Sequence, residues 1–117
     1  MENVTIVLRR PPYGSVDASE ALRHALGGAT NDMGVQLVLV DGGVHAARKG
    51  QDTTNTEYMN VEEGLKDCLD MGVEVYADRS SLSEERLETG DLTEGVKVAS
   101  GTEIAEMLGK AAVTLIF

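Results

Sequence analysis

The 117-residue chain has one thiol, Cys68, and two imidazoles, His24 and His45. These are the side chains best suited to nucleophilic attack, proton transfer or metal ligation near neutral pH. Cys68 falls in step with Val61, Leu65 and Leu69 at helical spacing, so it reads as a buried core thiol. Burial raises a thiol pKa, and the neighbouring Asp67 and Asp70 disfavour the thiolate further. A zinc site needs three or four clustered ligands, which two histidines and a distant cysteine do not supply, so no metal is expected. His24 sits mid-helix and reads as a surface residue. His45 is better placed, directly after Asp41-Gly42-Gly43-Val44 at the end of an apolar run.

Three short loops hold the other chemistry-bearing residues, and each follows a run that reads as a buried strand. They are Pro11-Pro12-Tyr13-Gly14-Ser15, Asp41-Gly42-Gly43-Val44 and Ala77-Asp78-Arg79-Ser80-Ser81. In a parallel sheet such loops converge at the carboxyl edge, where ligands collect. Tyr13, Gly14, Asp41, His45, Asp78 and Arg79 are therefore the residues expected to line a cleft. The first loop joins a strand to a helix N-terminus, as a phosphate loop does, but two prolines remove N–H donors and the expected lysine is absent. Asp41 can simply cap the next helix, and Asp78 can simply pair with Arg79. Neither has a convincing partner as a general base. The residues alone indicate no catalytic group and no cofactor.

The elements that must hold these loops alternate. Val4–Leu8 reads as a first strand stopped by Pro11-Pro12. Ser15 is placed to cap a helix running to about Thr30, with Val16, Leu22, Ala25, Leu26 and Ala29 on its apolar face. Gly34 is expected to close the next turn. Val35–Val40 is a continuous apolar strand of the kind covered on both faces, and a short helix starts near Val44. The segment 49–60 reads as an exposed polar loop. A helix follows from Val61 to Asp70, ended by Gly72, and then a strand over Val73–Tyr76. Ser81-Leu82-Ser83-Glu84 matches a capping box, and 89–94 is a second polar turn. Val96–Val98 is a brief strand, Thr102 is placed to cap a last helix, and Val113–Phe117 is the last strand. The alternation, without hairpin signals, predicts one domain over residues 1–117. Its fold class is α/β, a three-layer α/β/α arrangement with a mainly parallel five-stranded sheet.

Composition narrows the function. Aromatic residues make up 3% of the chain, so aliphatic side chains must build the core. One cysteine precludes an internal disulfide. The opening Met1-Glu2-Asn3-Val4 resembles no leader peptide, and no run approaches the ~18 apolar residues of a membrane span. Cytoplasmic residence without membrane attachment is the expectation. The net charge of −10 is uneven. Residues 57–94 hold twelve acids against three bases, whereas 95–117 balance at zero. Such a field repels phosphate backbones and argues against nucleic-acid binding. A solvated acidic face, as in a chain from a salty source, accounts for the stretch, and docking of a basic partner is the alternative.

Four segments in order resemble the DsrE/DsrF-like family of sulfur-relay proteins. They are Pro12-Tyr13-Gly14-Ser15; Asp41-Gly42-Gly43-Val44 with Lys49-Gly50-Gln51-Asp52-Thr53 downstream; Val75 through Leu82; and the apolar end at Phe117. The Gly-Gln-Asp-Thr and Val-Tyr-Ala-Asp-Arg-Ser-Ser-Leu segments are most similar to the DsrF/TusC branch. The resemblance implies hexamers, by self-association or with DsrE-like and DsrH-like subunits, that handle protein-bound sulfur for sulfur oxidation or tRNA thiolation. It places the persulfide cysteine of the DsrE/TusD branch at Tyr76–Asp78, where this chain has no thiol. The expected role is thus a non-catalytic companion subunit. A free-standing homo-oligomer binding a small ligand at the cleft is the alternative.

Overall fold

The computed structural model describes residues 3–117; Met1 and Glu2, part of the segment read as lacking a leader, lie outside the described residues. Five strands form one sheet: β1 (Asn3–Leu8), β2 (Gly34–Leu39), β3 (Glu74–Asp78), β4 (Lys97–Ala99) and β5 (Val113–Ile116). Their spatial order is β4-β3-β2-β1-β5, and every neighbouring pair is parallel. Four α-helices connect them: α1 (Asp17–Thr30), α2 (Val61–Asp70), α3 (Arg79–Glu84) and α4 (Gly101–Lys110). A 3-10 segment, Asp41–Ala47, follows β2.

The direction of travel explains the layers. From β1 to β4 the chain steps one way across the sheet. Right-handed crossovers then lay α1, α2 and α3 on one face. The β4-to-β5 connection steps back across the whole sheet, so the same handedness puts α4 on the opposite face. The larger core lies under α1 and α2. Ile6, Leu8, Leu37, Leu39 and Val75 of the strands meet Ala18, Ala21, Leu22, Leu65 and Cys68. Leu37, Leu39 and Leu65 are fully buried, each contributing roughly 1.5–3 kcal/mol. Under α4 a smaller cluster joins Val38, Ala99 and Ile104. β5 is left at the margin, with Val113 45% and Ile116 63% exposed.

Several local expectations are corrected. Val16, not Ser15, is the residue before α1; it is 69% exposed rather than on the apolar face, and Ser15 Oγ accepts from the Asp17 N–H at 3.3 Å. Asp32, at φ 60°, makes the turn that Gly34 was expected to close, and Gly34 opens β2. Asp78 caps α3, so Ser81–Glu84 is not a capping box but part of that helix. Ser100, not Thr102, caps α4, in a reciprocal pair with Glu103. Tertiary contacts decide these ends by a residue or two.

Candidate functional site

The loops at the carboxyl ends of β1, β2 and β3 are locked together before any ligand is considered. The Asp41-Gly42-Gly43 turn presses on the end of β1. A Cβ on Gly43 would stand 2.1 Å from the Leu8 carbonyl oxygen, and one on Gly42 would lie 3.0 Å from the Pro11 ring. The sequence therefore needs glycine at 43 for backbone approach. Asp41 takes φ 51°, an uncommon conformation that Asp tolerates better than most residues. Its N–H donates to Ser81 Oγ at 2.8 Å, and Ser81 Oγ donates to Asp78 Oδ2 at 2.6 Å. Ser81, 3% exposed, thus ties the second loop to the third.

Two simple expectations for these acids are corrected. The residue capping the 3-10 segment is Val40, with no side-chain cap, so the Asp41 carboxylate is not an N-cap. The Asp78 carboxylate serves the Ser81 N–H and hydroxyl, at 3.1 and 2.6 Å. Arg79 is exposed and lines a separate depression with Leu82, Leu87 and Val98.

Gln51 joins the first two loops, and its role was not read from the site chemistry of the sequence. Its Oε1 accepts from the Tyr13 hydroxyl. Its Nε2 donates to the carbonyls of Ala46 and Arg48 at 3.0 and 2.9 Å. Its N–H donates to Glu62 Oε1 at 2.8 Å, and its carbonyl accepts from Asn60 Nδ2 at 3.0 Å. The Tyr13 hydroxyl in turn accepts from the Val61 N–H at 3.2 Å. The Gln51 N–H, with help from Lys66, holds the Glu62 carboxyl below the usual carboxylate range. The polar segment 49–60 is thereby anchored at its base while Thr54–Met59 stay exposed.

Tyr13 and His45 come together in one shallow groove of about 350 Å³, walled by Pro11 and Pro12 and closed by Arg48 and Glu85. His45 Nε2 lies 3.1 Å from Glu85 Oε1, and its Nδ1 lies 3.4 Å from an Arg48 guanidinium nitrogen. A neutral ring protonated on Nε2 satisfies both contacts, donating to Glu85 and accepting from Arg48. Glu85 sits 40 residues from His45 and left no local signal in the sequence, while Arg48, three residues on, was not singled out. Gly14, at φ 97°, opens onto a neighbouring depression of about 470 Å³. Val16, Tyr58 and Met59 surround that depression and are 69%, 51% and 48% exposed. Tyr13 and Tyr58 stack edge to face at 5.5 Å. Asp41, Asp78 and Arg79 do not line the groove shared by Tyr13 and His45.

Cys68 is fully buried, two turns along α2 from Val61, with Sγ 3.8 Å from the Leu22 carbonyl. Burial, reinforced by Asp67, pushes its thiol up to about 11. At neutral pH it is a packed thiol, not a thiolate. Ala77 is buried, and the Tyr76 hydroxyl is hydrogen-bonded to Glu74. The edge can recognise a partner through prolines, tyrosines, a guanidinium and an imidazole–carboxylate pair. Among the described residues, no group of three or more His, Cys, Asp or Glu is arranged to hold a metal ion, and no helix is long and apolar enough to cross a membrane.

Comparison with known proteins places this geometry. The family model described as DsrE/DsrF-like matches residues 2–117. The intracellular sulfur oxidation protein DsrF of Allochromatium vinosum is 37% identical over 87 residues, 74% of this chain and 64% of that protein. A TusC homolog of Pseudomonas aeruginosa is 26% identical over 92% of this chain and 91% of its own length. The crystal structure of the ychN protein from E. coli superposes with a TM-score of 0.91 at 25% identity, covering 100% of both chains.

Proposed function

The chain belongs to the DsrE/DsrF-like family, and from that premise we propose that it is a non-catalytic, DsrF/TusC-like subunit of a cytoplasmic sulfur-relay oligomer. The observation that carries this reading is the state of its one thiol. A persulfide carrier needs an accessible thiolate. Cys68 is fully buried with its thiol pushed up to about 11, and the Tyr76–Asp78 segment offers a phenol, a methyl group and a carboxylate engaged with Ser81. Sulfur handling in such an oligomer therefore falls to a cysteine on another subunit, of DsrE-like type. The similarity to DsrF and to a TusC homolog supports the same assignment. Tyr13 and His45, fixed through Gln51, Glu85 and Arg48, then form this subunit's part of a shared cleft. The exposed Val16, Tyr58 and Met59 beside it supply apolar area for subunit contact.

Native mass spectrometry of the protein isolated from its own source, without reductant, tests this. The expected result is a mixed oligomer in which a partner chain, not this one, carries an extra sulfur atom. Extra sulfur on Cys68 itself would end the companion reading. The groove favours one second reading, a free-standing homo-oligomer that binds a small ligand. Its volume of about 350 Å³ falls within the roughly 300–1,000 Å³ of small-molecule sites. A bare homo-oligomer in the same experiment would select that reading.

A further inference from the structure

His45 is held as a base whose acceptor nitrogen has only a weak partner. Its Nε2 lies 3.1 Å from Glu85 Oε1, and its Nδ1 lies 3.4 Å from Arg48 Nη1. A guanidinium offers N–H groups and no acceptor, so a proton on Nδ1 would face another N–H. The ring therefore keeps its proton on Nε2, pointed at Glu85, and presents a lone pair at Nδ1. An imidazole oriented by a carboxylate through one nitrogen, and able to take a proton on the other, is two-thirds of a nucleophile–base–carboxylate triad. Among the described residues of the groove, none supplies the missing third. Pro11 and Pro12 carry no ionisable group, the Tyr13 hydroxyl is committed to Gln51 and Val61, and Cys68 is buried in the core. The proton donor has to arrive with the ligand.

Acidity selects the donor. An alcohol holds its proton too tightly to yield it to an imidazole, and a carboxylic acid has already lost its own at neutral pH and would set a second carboxylate beside Glu85. A thiol, at about 8.5, lies close enough to cross. The transfer is balanced within the groove: R–SH and neutral imidazole become R–S⁻ and imidazolium, with no change in net charge. The imidazolium keeps its Nε2–H on the Glu85 carboxylate. The thiolate takes Arg48, whose 3.4 Å contact with Nδ1 is long for a hydrogen bond and whose side chain is exposed and free to swing. Each charge created meets an opposite one, and opposite charges nearby favour the ionised forms. The groove of about 350 Å³ has the proline and tyrosine rings to hold the methylene groups behind the sulfur.

We propose that this groove binds an aliphatic thiol and ionises it, the S–H proton passing to His45 Nδ1 and the thiolate resting beside Arg48. Only the S–H bond breaks, and no electron is transferred. His45 is the proton acceptor and Glu85 its positioning residue. The inference deepens the role proposed for the groove and rests on it. The thiol is either a cysteine borne by a neighbouring polypeptide, as in a shared cleft, or a free small thiol, as in the ligand-binding reading. The chain itself still carries no sulfur. It activates a sulfur nucleophile that another molecule brings.

Two thiols added to the purified chain at neutral pH test this and separate the sources. N-acetylcysteinamide presents cysteine as a polypeptide does, 2-mercaptoethanol is a free small thiol, and N-acetylserinamide is the control with a hydroxyl in place of sulfur. Nitrogen NMR of the His45 ring should show Nδ1 gaining a proton, saturably, with thiol and not with the serine amide. A response to N-acetylcysteinamide alone selects the polypeptide source, and an equal response to both thiols selects the free one. Ultraviolet absorbance should show the bound thiol as thiolate, a rise of about tenfold or more over the roughly 3% of a free thiol at this pH. His45→Gln should abolish that rise. Glu85→Gln, which keeps an acceptor for Nε2–H but not its charge, should cut it about tenfold with circular dichroism unchanged. The proposal is overturned if neither thiol protonates Nδ1, if the serine amide acts equally, or if folded His45→Gln forms as much thiolate. Should a variant not fold, the wild-type ring signals decide. Failure here leaves the sulfur-relay oligomer, judged by its mass and its partner's sulfur, intact. Absence of that oligomer leaves the thiolate on the isolated chain measurable.

Discussion

Replacing Gln51 should uncouple the loops that build the groove, and the size of the effect follows from its bonds. Gln51→Ala deletes the acceptor of the Tyr13 hydroxyl and the donor shared by the Ala46 and Arg48 carbonyls. Three hydrogen bonds at about 0.5–1.5 kcal/mol each, in a partly buried setting, give a loss of roughly 2–4 kcal/mol. Urea unfolding should show a lower midpoint with unchanged slope. Amide exchange should speed up at Gln51 and Val61, whose N–H groups bond to Glu62 and to Tyr13. A second substitution sharpens the test. Gln51→Glu keeps an acceptor for Tyr13 but turns a carboxylate toward two carbonyls. Its folded-state pKa must lie above that of the unfolded chain. The deficit is therefore full above the folded pKa and shrinks as pH falls below it, because protonation restores a donor. The reasoning fails if Gln51→Ala changes stability by less than about 0.5 kcal/mol, the scale of an ordinary surface substitution, and leaves exchange unaltered.

Other expectations are as direct. Gly43→Ala forces a methyl group to within 2.1 Å of the Leu8 carbonyl; thermal melting should register a loss at or above the roughly 1–3 kcal/mol of overpacking. Gly27→Ala, mid-helix with open space at its Cβ, should instead stabilise by about 0.5–1 kcal/mol. Cys68 should be silent to a disulfide reagent in the native state and react fully in denaturant. Its thiol is raised from 9.0 to about 11, so the stability it confers is complete below the unfolded value and declines between those limits, by roughly 2–3 kcal/mol. Glu62 titrates in the opposite sense. With its folded pKa lowered, its contribution is present above the ordinary 4.5 and lost as pH falls through the folded value. Glu62→Gln should therefore flatten the acid limb of a stability–pH curve.

What the sequence made legible was whatever rests on apolar runs. The strands centre on β-branched or aliphatic runs, and the helix read over Val61–Asp70 has those bounds because Asn60 caps it and Gly72 turns out of it. Alternation gives the three layers but not the strand order, and handedness assigns each helix to its face only once that order is known. The site was legible only in its glycines and its neighbourhood. Tyr13 and His45 do share a groove, yet Asp41 and Asp78 were absorbed by Ser81 and Arg79 points elsewhere. Asp78 is taken by a local cap on Ser81, three residues on. The Asp41 N–H, by contrast, reaches Ser81 and His45 reaches Glu85 across 40 residues, and no local period carries that information. Gln51 shows it most plainly, since a glutamine in a polar loop looks like any other until Tyr13 arrives from the first loop.

The position of β1 bears on how the chain is made. In the folded sheet β1 lies between β2 and β5, and Val4 pairs with Val113. A ribosome adding about 5–20 residues per second takes several to some twenty seconds to travel that far. β2 can pair with β1 early, and β3 with β2, but the other flank of β1 stays uncovered until the last crossover has been synthesised. Non-local closure of this kind is slow, and the waiting flank is an aggregation hazard for the nascent chain. A slower rate of translation over residues 80–110 would lengthen that exposure, whereas a chaperone that shields β1 until β5 emerges would shorten its danger. The strand that ends up interior spends most of the time of synthesis as a margin.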